Sequence, residues 1–497
     1  EIRPRDWSSD VCSSDLYRNT NIFAAIRISN LHFNDCEILL PNKETEAGVN
    51  EIRQKLEMVC QNSFLAKYVY GTYAGDKYEK NESIPVLFSE NLKEEGSLNM
   101  RLQDLDEAIY QEGEKTVHGG HAIAAATNFP LKEGAFHFTL QPTGNDYYIR
   151  KMRFDRKHRF FMVRSPYAFE PYGTYEDRKN ELIKRGSDTK SKNIFPEIAK
   201  MAVEKWNYID KKRNQECFNS IDQRSEESIL NLVGFLGMLY RYRNNPSFPE
   251  NLETSIQNAY LNYRYWEDEP GTDVMDFTGE GKSILFHTAE ILAGQLEKGT
   301  IFPNNNMTGE AHINHGTKLA FEWIEQRGQY GFEEWNTSET IADILTAMAH
   351  LVDFCENETL VDLALVMMDK VLFILATNTF QGGLGSPHYK SQLSTVVSTR
   401  LEPTSGVCRL LWGMGSFNYE LAAPLSIALS NYEIPEIIRD IASDSTASLW
   451  IQQSNRSQKS DDNQQNIVNL SSYKTRDYML SSCQDYTPGE PGKREHI

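Results

Sequence analysis

Residues 331–337 (GFEEWNT) place two carboxylates, Glu333 and Glu334, directly before Trp335 and just after a glycine. A buried carboxylic acid with a raised pKa beside an ionised partner is the pair that hydrolyses glycosidic bonds, and an aromatic face next to it suits a sugar ring. The plainer reading is a pair of acids favoured at a helix start by the helix dipole. Glu280 and His287 are seven residues apart, almost two helical turns, so both fall on one helix face, as an acid and an imidazole turned toward a common cleft would. A histidine inside ILFHTAEILAG reads equally well as a core residue.

Other motifs lose on inspection. His312 and His315 beside Glu310 supply half of a metal site, with no third ligand at suitable spacing, so no metal or cofactor is expected. The stretch TGEGKS at 278–283 lacks the leading glycine of a phosphate loop; Asp276 stands there, and an acid repels phosphate. Asn306-Met307-Thr308 forms a glycosylation triplet without further support. The seven cysteines show no C-x-x-C spacing and read as neither a disulfide framework nor a zinc site.

The elements that must position these groups are helices. After residue 193 apolar residues recur at helical spacing in segments 195–211, 225–243, 250–266, 281–297, 308–327, 337–355, 357–378, 404–415, 418–430 and 433–449. Short connections imply antiparallel hairpins, in a bundle or a closed ring. In a ring, the linkers at 265–271 (YWEDEPG), 280–287, 331–337 and 378–389 gather at one rim. Trp266, Glu280, His287, Glu334, Trp335, His388 and Tyr389 are then expected to line one concave pocket.

Residues 17–192 mix signals: 51–66 reads as a helix, 134–140 and 146–162 as paired strands, and 173–192 as a charged loop. The polar tract within 451–472 has the composition of a linker, and 473–497 reads as the entry to a β domain cut short. The opening residues 1–16 resemble translated sequencing-adapter DNA and are expected to take no part in the fold. Seventy acidic against 51 basic residues give a net charge of −19, which disfavours nucleic acid and anionic membranes as partners. The richest apolar stretch, 360–376, is interrupted by Asp362, Asp369 and Lys370 and reads as a buried helix.

The pieces 234–241 (GFLGMLYR), 265–271, 285–296 (LFHTAEILAGQL), 331–335 and 372–385 together resemble a family of large bacterial proteins. That family is similar to the (α/α)-toroid carbohydrate-active enzymes, namely six-hairpin glycosidases and heparinase- or alginate-lyase-type lyases. The resemblance implies a mainly α fold: a toroid over 193–450 after a mixed α/β segment. It implies a polysaccharide or oligosaccharide partner. The leading expectation is β-elimination on a uronic-acid glycan, with hydrolysis by paired carboxylates and non-catalytic glycan binding as alternatives. For elimination, Lys282, Asn336 or Asn378 would neutralise the substrate carboxylate, and Tyr389 and His388 would move protons. His287 remains as a further base, and Trp266 and Trp335 would stack on sugar rings. The chain departs from the family at Gly281 and Lys282, where an Asn-His pair is usual, and at Pro387-His388-Tyr389, which lacks the usual arginine.

Overall fold

The computed structural model describes residues 77–79, 84–87, 96–104, 108–117, 121–125, 134–142, 156–163, and 166–484 apart from 190, 393–394, 397, 445, 447 and 457–466. The expectations for 1–16 and for a helix at 51–66, and the last part of 473–497, lie outside these residues. The chain divides into two units, Glu1–Arg164 and Ser165–Ile497.

The described part of the first unit is β-structure. Strands β3 (Gly96–Asp104), β4 (Ile109–Val117), β6 (Gly134–Pro142) and β7 (Arg156–Val163) join β1 (Lys77–Glu79) in a five-stranded sheet of order β1-β7-β6-β3-β4. The β6–β7 pair is antiparallel, with Phe136 opposite Phe160 and Phe138 opposite His158. The alternation of aromatic and polar positions anticipates this pairing. Strands β2 (Ile84–Leu87) and β5 (His121–Ala125) pair separately.

The second unit is mainly α and starts at Ser165 rather than at 193. Its first helix, α1 (Tyr175–Asp188), occupies the stretch whose charge suggests a loop. A capping box starts it: the Thr174 side chain accepts from the Asp177 amide while the Asp177 carboxylate accepts from the Thr174 N–H. Its Arg178 is buried rather than solvated, so charge misleads here. Then follow α2 (Phe195–Ala202), α3 (Lys211–Asp222), α4 (Ser228–Tyr242), α5 (Glu250–Leu261), α6 (Glu280–Leu296), α7 (Gly309–Tyr330), α8 (Ser338–Phe354), α9 (Glu358–Asn378), α10 (Ser405–Trp412), α11 (Ala422–Ala428) and α12 (Glu436–Ser443).

Packing follows a regular order. Helix α4 packs on α2 and α6, α6 on α8, and α8 on α11; α11 returns to α1 and α2. The other helices lie against this series: α3 and α5 on α4, α7 on α6, and α9 on α8 and α12. Apolar residues cover more than one side of α4, where every residue from Ser228 to Leu239 is buried. Close approach depends on glycine. A Cβ on Gly281 would fall 2.7 Å from Asp343 Cβ, and one on Gly294 would fall 2.6 Å from the Gly309 carbonyl oxygen.

The segment read as a polar linker instead contributes strands. Beyond the two-residue hairpins of β8 (Ile301–Phe302) with β9 (Met307–Thr308) and β10 (Thr379–Phe380) with β11 (Gly383–Leu384), β12 (Leu449–Arg456), β13 (Ile467–Lys474) and β14 (Met479–Gln484) form an antiparallel sheet. Its inner face buries Asn455, Leu470, Ser472 and Lys474. These residues are mostly polar, so no apolar alternation marks the strands. The Lys474 ammonium donates to the carbonyls of Ala376 and Thr379 at the end of α9. No helix among the described residues is long and apolar enough to cross a membrane.

Candidate functional site

The starts of four helices meet at one cleft. Helix α4 contributes Glu226, Glu227 and Leu230; α6 contributes Asp276, Gly279, Gly281 and Lys282; α8 contributes Glu339, Thr340 and Asp343; and α11 contributes Tyr419, Glu420, Ala422 and Ala423. Glu334 and Lys390 reach it from two loops. The described lining therefore holds seven carboxylates against two lysines. Four helix N-termini help to carry this charge, because each presents unpaired N–H groups and the positive end of its dipole.

Internal bonds set the positions of these acids. Asp276 accepts from the amides of Thr278 and Gly279 at 2.9 and 3.0 Å, a turn that closes the start of α6. Lys282 pairs with Asp343 at 3.1 Å across α6 and α8. Burial alone would lower the Lys282 ammonium, but Asp343 and Glu227 carry it above the ordinary lysine value. Glu334 accepts from the Thr340 hydroxyl at 2.5 Å. Burial raises the Glu339 carboxyl, with Ser338 and Lys390 opposing. Glu420 is pushed up to about 7 by burial and then by the carboxylates of Glu227, Glu339 and Asp343, with Lys282 pulling the other way. A buried carboxyl whose proton is held to about pH 7 is equipped to give and take a proton at ordinary pH.

The ten residues singled out in the sequence separate into three groups. Glu334 and Lys282 line the cleft. Glu280 lies behind it, 2 % exposed, as a hub: one oxygen accepts from Arg327 at 2.9 Å and the Glu333 amide at 3.0 Å, the other from the Glu334 amide at 2.8 Å. Its chemistry is to fix the loop that carries Glu334.

The second group is a set of interlocked loops. The Tyr389 amide donates to the Trp335 carbonyl at 3.0 Å, and their rings meet edge to face at 6.2 Å. Asn336, in the left-handed region at φ 52°, donates to Ser386 and to Asn378. Asn378 in turn donates to Ile374 and Gln453. Both asparagines and Trp335 are buried; the two amide nitrogens tie the loops together, while the Asn336 Oδ1 is buried without a hydrogen-bond partner. Burial lowers the half-buried His388 imidazole below the ordinary histidine value.

The third group is on the flank of α6 facing α7. Burial, then the charges of His315 and Arg327, push His287 down to about 3, which keeps it neutral at ordinary pH. Trp266 packs on His315 with ring centroids 4.3 Å apart. His312 and His315 both share the buried Glu290 carboxylate, at 3.1 and 3.0 Å. Among the described residues no group of three or more His, Cys, Asp and Glu is arranged to hold a metal.

Sequence reasoning passed over Glu227, Glu339, Asp343 and Glu420. Each stands at or within two turns of a helix start, without the combination of neighbouring carboxylate and tryptophan that singled out Glu334. A lone acid there is ordinarily a partner of the helix dipole.

No protein-family model and no curated protein matches the chain. Comparison with solved structures returns α2-macroglobulins. A portion of the native Escherichia coli protein, from domain MG7 to the C-terminus, is 11% identical with TM-score 0.22, over 83% of this chain and 69% of that one. The native conformation of the whole E. coli protein is 9% identical with TM-score 0.21, over 84% and 28%. The methylamine-reacted Salmonella protein is 11% identical with TM-score 0.20, over 83% and 30%.

Proposed function

We propose that the second unit is an (α/α) toroid whose mouth is a carbohydrate-active site, and that its chemistry is glycoside hydrolysis. The series α2-α4-α6-α8-α11, returning to α1 and α2, supports the toroid, with α3, α5, α7 and α9 on its outside. The observation that carries the functional reading is the cleft at the starts of α4, α6, α8 and α11, where seven carboxylates converge. Hydrolysis of a glycosidic bond asks for one protonated and one ionised carboxyl on either side of the bond. Glu420 suits the acid, because burial and then its carboxylate neighbours hold its proton to about pH 7. Glu334 suits the second role, since Thr340 and the Glu280 hub fix its position from behind.

The cleft serves elimination on a uronic acid less well. That reaction needs a cation or amide facing the substrate carboxylate. Lys282 is paired with Asp343, Asn336 and Asn378 are buried in loop contacts, and the prevailing charge repels an anion. A panel of neutral, amino and uronic oligosaccharides tests both readings. Hydrolysis gives new reducing ends without ultraviolet absorbance, whereas elimination gives the absorbance of a conjugated double bond. Glu420→Gln and Glu334→Gln are expected to lower turnover at least a hundredfold, on the order of general acid–base contributions. Full activity in either variant removes that residue from the mechanism.

A further inference from the structure

The outer face of the β12–β14 sheet carries a row of rings that the cleft does not use. Trp450, Tyr473 and Leu480 stand directly opposite one another across the three strands. The Trp450 and Tyr473 rings are 5.9 Å apart, and Tyr478, in the turn before β14, extends the row at 6.3 Å from Tyr473. Trp450 is 68% exposed, Leu480 66% and Tyr478 46%. The next row on the same face is Gln452, Ser471 and Ser482, followed by Ser454 opposite Asn469. These two rows consist of amide and hydroxyl side chains and carry no charge.

We infer that this face is a glycan-binding platform, separate from the cleft, for a neutral saccharide chain. Rings in a row at about the spacing of neighbouring strands give successive pyranose faces a surface to stack on, their C–H groups meeting the negative faces of the aromatics. Amides and hydroxyls alongside can bond the ring hydroxyls, as in small-molecule sites where a few polar groups orient an apolar contact. The absence of charge on these rows fits a neutral chain better than a uronate or a peptide. A second copy is a poorer fit by size. Strands of eight, eight and six residues make a face of roughly 26 Å by 14 Å, on the order of 400 Å². A stable protein interface takes about 800 Å² from each partner.

The sheet that carries the platform adjoins the loops around the cleft through its other face. On the sheet's inner side Asn455 accepts from the Phe332 amide, Gln453 from Asn378, and the Ser481 hydroxyl donates to the Gly385 carbonyl. A chain held on the outer face is therefore separated from the loop that presents Glu334 by the thickness of the sheet. The inference goes beyond the hydrolase reading and does not need it, since binding here requires no turnover.

Isothermal titration of the full chain with cellohexaose, mannohexaose and maltohexaose tests it. At least one should bind, Trp450→Ala should weaken it tenfold or more, and Trp450→Phe should restore part of the loss. Glu420→Gln, which disables the proposed cleft, should leave this affinity unchanged. Failure of all three sugars to bind overturns the platform. So does binding that survives Trp450→Ala, or that Glu420→Gln abolishes, which assigns the sugar to the cleft. Concentration-dependent dimers in sedimentation that Leu480→Lys disperses would make the face an interface between copies instead, and would equally overturn it.

Discussion

Glu280 shows how far a residue's chemistry depends on what surrounds it. A free glutamate seven residues before a histidine on the same helix face looks like a catalyst; this one is enclosed, raised by burial, and saturated by Arg327 and two amides. Glu280→Ala leaves the Arg327 guanidinium and both N–H groups without an acceptor, and is expected to cost about 3–5 kcal/mol in chemical denaturation. Glu280→Gln keeps one acceptor oxygen and should cost less. Equal effects would mean that the carboxylate is not the hub. A different test belongs to Glu420. Its proton is held to about pH 7, so an acid role requires activity to fall as pH rises through that value. A Glu420→Gln variant with residual activity should have lost that basic limb, and a limb that persists excludes Glu420 as its source. His315 titrates with the opposite consequence for the fold. Its hydrogen bond to Glu290 raises it, against the effect of burial. A raised histidine contributes stability that is complete below the unfolded value of ~6.5 and is lost as pH rises through the higher folded value. The stability gap between the wild-type chain and His315→Gln should therefore narrow at alkaline pH; a gap that widens refutes the pairing. Glu334 was legible from its place beside Trp335, and Lys282 from the position where the resembling family has an Asn-His pair. Glu227, Glu339, Asp343 and Glu420 were not, because only the packing of four helices brings them to one cleft.

At the scale of elements, the helices were legible wherever apolar residues kept a 3.6-residue period. Segments 281–297, 337–355 and 357–378 agree with α6, α8 and α9 to within a residue or so. The period failed where polar groups are buried. In α1 only Leu182 and Ile183 are apolar among the inward residues, which also include Arg178, Gly186 and Ser187, and in β12 and β13 the inward residues include Asn455, Ser472 and Lys474, so both the helical and the alternating pattern are weakened. Glycine spacing carries packing information that periodicity does not. Gly294 on α6 and Gly309 at the start of α7 face each other so closely that a Cβ on Gly309 would lie 2.1 Å from the Glu297 carbonyl oxygen, itself backbone and unable to step aside. Gly309→Ala should therefore destabilise by about 1–3 kcal/mol through displaced backbone, despite alanine's better helix propensity. Gly328, also on α7, has open space where a Cβ would go, and Gly328→Ala should be neutral or stabilising. Urea midpoints of the two variants distinguish the cases, and matching effects would show that α6 and α7 do not approach as closely as described.

For the helical unit as a whole, the decisive contacts are those that join residues far apart in sequence, and these leave no local trace. Arg178 on α1 donates to four carbonyls: Leu410 and Leu411 near the end of α10, at 2.8 and 3.1 Å, and Tyr172 and Gly173 just before α1, at 2.7 and 2.8 Å. Arg409 on α10 answers from the other side, donating to the Tyr172 hydroxyl, the Pro166 carbonyl and Glu181. Together they tie the beginning of the unit to a segment more than 220 residues later. The C-terminal carbonyls of α10 have no partner within their helix, so the guanidinium of Arg178 supplies bonds that the backbone cannot. Removing it strands buried acceptors at about 1–3 kcal/mol each, and Arg178→Met, which retains the apolar stem, is expected to cost about 3–5 kcal/mol in all. The form of the loss is the sharper test. If α11 and α1 close the helical series, weakening that junction lowers the stability of α4, α6 and α8 as well, although Arg178 bonds to none of them. Amide exchange by mass spectrometry should then show protection falling by a similar factor across α4, α6, α8 and α11 in the variant. A decrease confined to α1 and α10 would mean that the junction is a local clasp, and that the helices form an open stack rather than a ring.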